Sequence, residues 1–201
     1  MENVHDNSTI ISEVFTALCA SDLRKARFTI KDKYEFQLVT PATRVYSEVE
    51  LLSVFMRDGF IDRYSPNRQR LMFPGVLRLL SHFMPDLFPF DPHWKLSECH
   101  IAYWELMPTI DHRVPVARGG VDAESNWITT SQIRNSAKGA WTLEELGWKE
   151  QPPGNLAEWD GLMAAFVDYF DKNPPLAEEP SLKTWRDAVA ACETNRAKQP
   201  A

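Results

Sequence analysis

Cysteine is scarce, with only Cys19, Cys99 and Cys192 among 201 residues. Three scattered thiols cannot build a disulfide framework, so a reducing, cytoplasmic setting is the default expectation. Long apolar runs are missing as well. None approaches the ~18 residues a membrane-crossing helix needs, and no membrane partner is expected. The first twenty residues carry Glu2, Asp6 and Glu13 but no Lys or Arg, which does not read as a secretory signal. There is no internal repeat and no low-complexity tract. An excess of positive charge is lacking too: 22 basic side chains face 28 acidic ones, a net charge of −6. That argues against a protein that coats nucleic acid, because phosphate contact depends on Lys and Arg.

What is present is ordinary for a globular chain, 44% hydrophobic and 25% charged. The charge is unevenly spread. Residues 1–98 hold 12 basic and 13 acidic side chains, residues 99–141 hold 4 of each, and residues 142–201 hold 6 and 11. A DNA-contacting face would therefore use the first two thirds and exclude the tail.

Apolar spacing predicts a short helix within residues 1–20 (Ile10, Ile11, Val14, Phe15, Leu18), and residues 34–39 alternate as a strand does. Ser47 and Glu50 form a capping box ahead of Val49, Leu52, Phe55 and Met56, and Gly59 ends that helix. Pro74 suits the first position of another helix. Pro85, Pro89 and Pro92 then suggest a boundary. Asn155 and Glu158 are a capping signal for a helix with Leu156, Trp159, Leu162, Met163, Phe166, Val167 and Phe170 on one stripe, and Ser181 can cap a last helix carrying Leu182, Trp185, Val189 and Cys192.

The chemistry concentrates in residues 110–139. A β-prone stretch ends in Asp111-His112, and a turn-rich loop follows through Arg118-Gly119-Gly120-Val121-Asp122. Asn126 opens a second strand, Trp127-Ile128-Thr129-Thr130, after which Thr130 or Ser131 can cap a helix bearing Asn135 and Lys138. This predicts strand, loop, strand, helix. Such a unit suits phosphodiester hydrolysis, which needs a base that titrates near neutrality and a hard divalent cation. His112 supplies the base, and Asp111 and Asn135 are the natural oxygen ligands for Mg²⁺ or Mn²⁺. Neighbours on a regular strand point to opposite faces, so the strand must bend or end at His112 for both to serve one site.

The Asp-His pair, the asparagine 14 positions after His112, the third motif residue 9 positions later, the Arg-Gly-Gly loop and the Asn-x-x-Lys-Gly ending resemble the HNH endonuclease family, the ββα-metal nucleases. The resemblance covers about residues 99–141. The stretch from Phe88 to Trp148 is also similar to stand-alone bacterial members that lack the structural zinc cysteines. It implies His112 as general base, Asp111 and Asn135 as metal ligands, Asn126 holding the loop and helping to orient His112, and Lys138 beside the substrate phosphate. Asn135 stands where many members have His. No Cys-x-x-Cys pair is present, so no structural zinc is expected, and Trp104, Trp127, Trp141 and Trp148 are the expected aromatic substitute. Cys99-His100 reads as structural.

The expected fold is α+β: a central ββα-metal core at residues 91–150, an N-terminal mixed α/β region at 1–90 that could read DNA, and a C-terminal helical buttress at 151–201. Arg63, Arg68 and Arg70 around the Ser65-Pro66-Asn67 turn, with Arg113 and Arg118 in the motif, are the candidate nucleic-acid contacts. The expected function is metal-dependent DNA cleavage, in a restriction or defence setting. A homodimer is one way for a single-site nuclease to cut both strands. Two rival readings stay open: a non-cleaving nucleic-acid-binding module on the same scaffold, and a toxin-type nuclease held by an immunity partner.

Overall fold

A computed structural model describes residues 7–36 and 45–198. The chain is mixed α+β and divides near residue 43 into two compact units. The boundaries expected at residues 90 and 150 fall inside the second unit. Among the described residues no helix is long and apolar enough to cross a membrane.

The first unit is a pair of helices, α1 (Asn7–Cys19) and α2 (Leu23–Lys33). Asp22 starts α2 by accepting the Lys25 N–H at 2.9 Å. The second helix has no counterpart in the sequence expectations, because its apolar stripe is short and its charge dominates the pattern. Of the strand expected over residues 34–39, residues 34–36 have no regular structure and the remainder lies outside the described residues.

The second unit begins with α3 (Glu48–Arg57), where Ser47 and Glu50 form the reciprocal capping box that the spacing predicts. Helix α4 (Pro74–Phe83) opens on its proline. A short α5 (Ala102–Glu105) leads into strand β1 (Pro108–His112). Strand β2 (Trp127–Ser131) pairs antiparallel with it, Pro108 opposite Ser131 and His112 opposite Trp127, and runs straight into α6 (Gln132–Lys138). Strand, loop, strand and helix thus follow in the expected order. Two helices end the chain, α7 (Met163–Lys172) and α8 (Pro180–Lys198).

The helix expected from Asn155 starts only at Met163. Asp160 accepts the N–H groups of Leu162 and Ala164, both at 2.9 Å, and so moves the cap downstream. The core joins α3, α7 and α8 around Phe55, Phe60, Phe73, Phe166, Phe170 and Trp185. The C-terminal helices therefore complete this core rather than buttress a separate one. Of the four tryptophans near the motif, Trp127 packs against this core from a half-buried position, Trp104 and Trp148 are half-buried, and Trp141 is 53% exposed. Cys99 and His100 are structural. The Cys99 sulfur accepts the Asp91 N–H, and His100 stacks on Phe88 with centroids 4.2 Å apart.

A two-stranded ribbon is marginal alone, so its outer edge needs partners. Two buried carboxylates from the turn after α3 supply them. Asp58 accepts the Thr129 N–H at 2.8 Å, and the Arg63 N–H bonds Thr129 O at 3.0 Å. Asp62 accepts the Ser131 N–H and hydroxyl at 3.1 and 2.6 Å and the Thr130 hydroxyl at 2.9 Å. Ser131 therefore spends its side chain on Asp62 and leaves α6 without a side-chain cap.

Candidate active site

Asp111 and His112 are the last two residues of β1, and both are buried, at 7% and 5% exposure. His112 is still paired with Trp127 across the ribbon, and the strand ends just after it. Each has its own set of partners.

The Asp111 carboxylate receives two donors on Oδ2, the Tyr64 hydroxyl at 2.8 Å and the Lys138 ammonium at 2.7 Å. Burial, helped by the Asp111 charge, pushes the Tyr64 phenol far above its ordinary range, which keeps it a proton donor. Lys138 also donates to His112 O at 2.8 Å, and its side chain is fully buried. The resemblance puts Lys138 beside a substrate phosphate; the side chain instead turns inward. An ammonium with no exposure must sit on a carboxylate, and the end of β1 provides one. Asn135, one turn earlier on α6, donates from Nδ2 to Ile110 O at 3.4 Å, so its amide lies against β1 beside Asp111.

His112 meets a residue that sequence reasoning missed. Its Nε2 lies 2.8 Å from Oδ1 of Asp122, and the same oxygen accepts the Tyr46 hydroxyl at 2.7 Å and the Trp127 indole N–H at 2.8 Å. Partial burial pushes the Asp122 carboxyl up. The hydrogen bonds from Tyr46, His112 and Trp127 and the nearby His112 outweigh that and hold it at about 2. An ionised carboxylate only accepts, so Nε2 of His112 is the donor in this contact. In the sequence Asp122 reads as a turn former, and Tyr46 lies too far along the chain to reveal the link.

Asn126 closes the loop. Its Oδ1 accepts the Val114 N–H, and its Nδ2 donates to Val114 O and Val121 O, each at 2.9 Å. By pinning Val121 it fixes Asp122, and through Asp122 the His112 ring. Gly120 lies so close to this knot that a Cβ would sit 1.9 Å from Val114 O.

The arginine candidates divide. Arg63 is 6% exposed and holds Asp58 at 2.7 Å, Glu150 at 2.5 Å and the carbonyl of Gln151. Buried between two carboxylates, it is spent on the fold and not on a phosphate. Arg113 is a second clamp, bonding Glu150 at 2.8 Å and the carbonyls of Ser125 and Trp127. Hydrogen bonding to Glu150 holds its guanidinium above its ordinary pKa despite partial burial. Arg118 pairs with Glu145 at 3.3 Å near the surface. Arg68 donates to Pro153 O at 3.0 Å, and Arg70 lies over the Trp159 ring at 5.0 Å; both are exposed. The structure gathers Asp111, His112, Asn126, Asn135 and Lys138 around the end of β1 and leaves Arg68 and Arg70 on the separate turn before α4.

No cluster of three or more His, Cys, Asp or Glu suited to a metal occurs among the described residues. A two-oxygen seat with an amide member is a different donor set. Oδ1 of Asp111 and Oδ1 of Asn135 carry no hydrogen bond among the described residues, and oxygens of this kind suit a hard divalent cation. No protein-family model matches the chain, and comparison with curated proteins and with solved structures gives no match.

Proposed function

We propose that the chain is a divalent-metal-dependent endonuclease of the HNH type that hydrolyses DNA phosphodiester bonds, with His112 activating water and Asp111 and Asn135 holding Mg²⁺ or Mn²⁺. The observation that carries this reading is the strand–loop–strand–helix unit whose first strand ends in Asp111-His112, with the His112 ring on the Asp122 carboxylate and α6 bringing the Asn135 amide to Ile110 O. Pure binding would not call for a histidine there with its ring held by a carboxylate.

Each residue has a part it can perform as it stands. Asp122 accepts the hydrogen bond from Nε2 of His112 and so orients the ring that would take a proton from water. As that proton arrives, the Asp122 charge stabilises the imidazolium. Asn126 keeps Asp122 in place through Val121. Lys138 and Tyr64 hold Asp111 in one orientation from its Oδ2 side. A cation bound by Oδ1 of Asp111 and Oδ1 of Asn135 would draw charge from the phosphate and from the leaving oxygen.

The non-cleaving module has one observation in its favour. The Lys138 ammonium already neutralises Asp111 at 2.7 Å, which weakens the pull of that carboxylate on a second cation. Supercoiled plasmid incubated with Mg²⁺, with EDTA as control, separates the readings. The nuclease converts it to open-circular or linear DNA, EDTA stops the reaction, and His112→Ala slows it by about 10²–10⁴-fold while DNA affinity is kept. Cleavage by His112→Ala at the parent rate would remove His112 from the mechanism. A chain that shifts DNA and never cuts it would leave the binding module.

A further inference from the structure

We infer that the outward face of α2, formed by Arg24, Arg27 and Lys31 with Phe28 at its flank, is a contact surface for a nucleic-acid backbone. The inference takes the identity of the polyanion from the nuclease reading above. The helix carries five basic residues and a single acid, Asp32, in a chain whose net charge is −6.

The arrangement is more specific than the count. Positions i, i+3 and i+7 lie within roughly 60° of one another on a helix, so Arg24, Arg27 and Lys31 form one stripe about 10 Å long. The other side of the helix packs on α1, where Ala26 and Thr29 are buried and Ile30 is half-buried. All three cations are exposed, and none has a carboxylate partner among the described residues. The acids nearby are otherwise engaged: Glu13 pairs with Lys33 at 2.7 Å, and Asp22 caps the helix.

Three like charges held on one face repel each other, and no carboxylate among the described residues pairs with them. A phosphate backbone would, with release of its condensed counterions. Phe28 is 66% exposed and stands one helical turn after Arg24, where a ring can stack on an unpaired base. An anionic membrane surface would also have to take up the exposed Phe15 and Leu18 of α1 and Leu23 and Phe28 of α2, and it is the competing outcome in the test below. Arg63 and Arg113, which sequence reasoning offered for phosphate, are spent on Glu150 and Asp58. The α2 stripe supplies the cations they do not.

The test compares the full-length chain with Arg24→Gln/Arg27→Gln/Lys31→Gln. Binding of a labelled oligonucleotide, single-stranded and duplex, is followed by fluorescence anisotropy in EDTA over a series of KCl concentrations. Helix content by circular dichroism should be unchanged, since all three side chains are exposed. The expected result is an affinity loss of about tenfold or more and a salt slope shallower by about 2–3, one unit or slightly less for each phosphate contact removed. Phe28→Ala should weaken single-stranded binding more than duplex binding. Parent-like affinity and slope in the triple variant would overturn the proposal. So would a parent that ignores DNA but binds phosphatidylserine vesicles through the same three residues. A parent that binds DNA through α2 but never cuts with Mg²⁺ would sink the nuclease reading and leave this surface standing. Cleavage by a triple variant that binds like the parent would do the reverse.

Discussion

Replacing Lys138 by Met should unfold much of the protein's stability margin. The side chain is fully buried, its ammonium 2.7 Å from Asp111 and 2.8 Å from His112 O. Methionine keeps most of the volume and removes the charge. The buried Asp111 carboxylate would keep only the Tyr64 hydroxyl, and the His112 carbonyl would lose its side-chain donor. Removing one partner of a buried ion pair costs about 3–5 kcal/mol, a large share of the ~5–15 kcal/mol that holds a typical domain together. Urea titration followed by tryptophan fluorescence measures it as a lower midpoint at unchanged slope. In thermal melts the same loss is a drop of roughly 10 °C. The double variant Asp111→Asn/Lys138→Met should recover part of the loss, because no unpaired charge remains. If Lys138 instead faced solvent and substrate, Lys138→Met would shift stability by less than ~0.5 kcal/mol. A midpoint equal to the parent's would refute the buried pair and restore Lys138 to the phosphate.

Two further outcomes follow from the loop. Gly120→Ala should cost more than ~2 kcal/mol, since its Cβ would meet Val114 O at 1.9 Å and the Asn126 amide at 2.9 Å; Gly119→Ala, with φ +85° and open space around it, should cost only about 1 kcal/mol. Equal midpoints for the two variants would count against the Asn126 knot. Asp122, held at about 2, is more acidic folded than unfolded. Its contribution to stability is therefore complete above about pH 4 and is lost as the pH falls towards 2. Asp122→Asn should flatten that part of the acid titration, modestly because the carboxylate is 37% exposed; superimposable curves would show that Asp122 has no such role.

Local patterns were legible where a few adjacent residues decide the outcome. The Ser47–Glu50 box, the proline opening α4, and the alternation from strand to loop to strand to helix across residues 108–138 all depend on neighbours in sequence. The register of Asp111, His112, Asn126 and Asn135 was legible for the same reason, as spacing along one short unit. Partners reached over long sequence separations were not. Tyr64 reaches Asp111 and Tyr46 reaches Asp122, neither singled out by the sequence, and Arg63, there a candidate for phosphate, reaches Glu150.

The amino-acid sequence by itself determined the capping box of α3, the start of α4 and the strand–loop–strand–helix order around Asp111 and His112, because periodicity, capping and spacing are short-range properties. Tertiary structure alone decided what those side chains face. Lys138 turns inward because burial leaves an ammonium no stable place except a carboxylate. Arg63 and Arg113 become clamps because the segment at Glu150-Gln151, far along the chain, is packed against Arg63 and brings one carboxylate to both. Charge is written residue by residue, but whether a cation meets a phosphate or an internal carboxylate is settled only when distant parts of the chain are packed together.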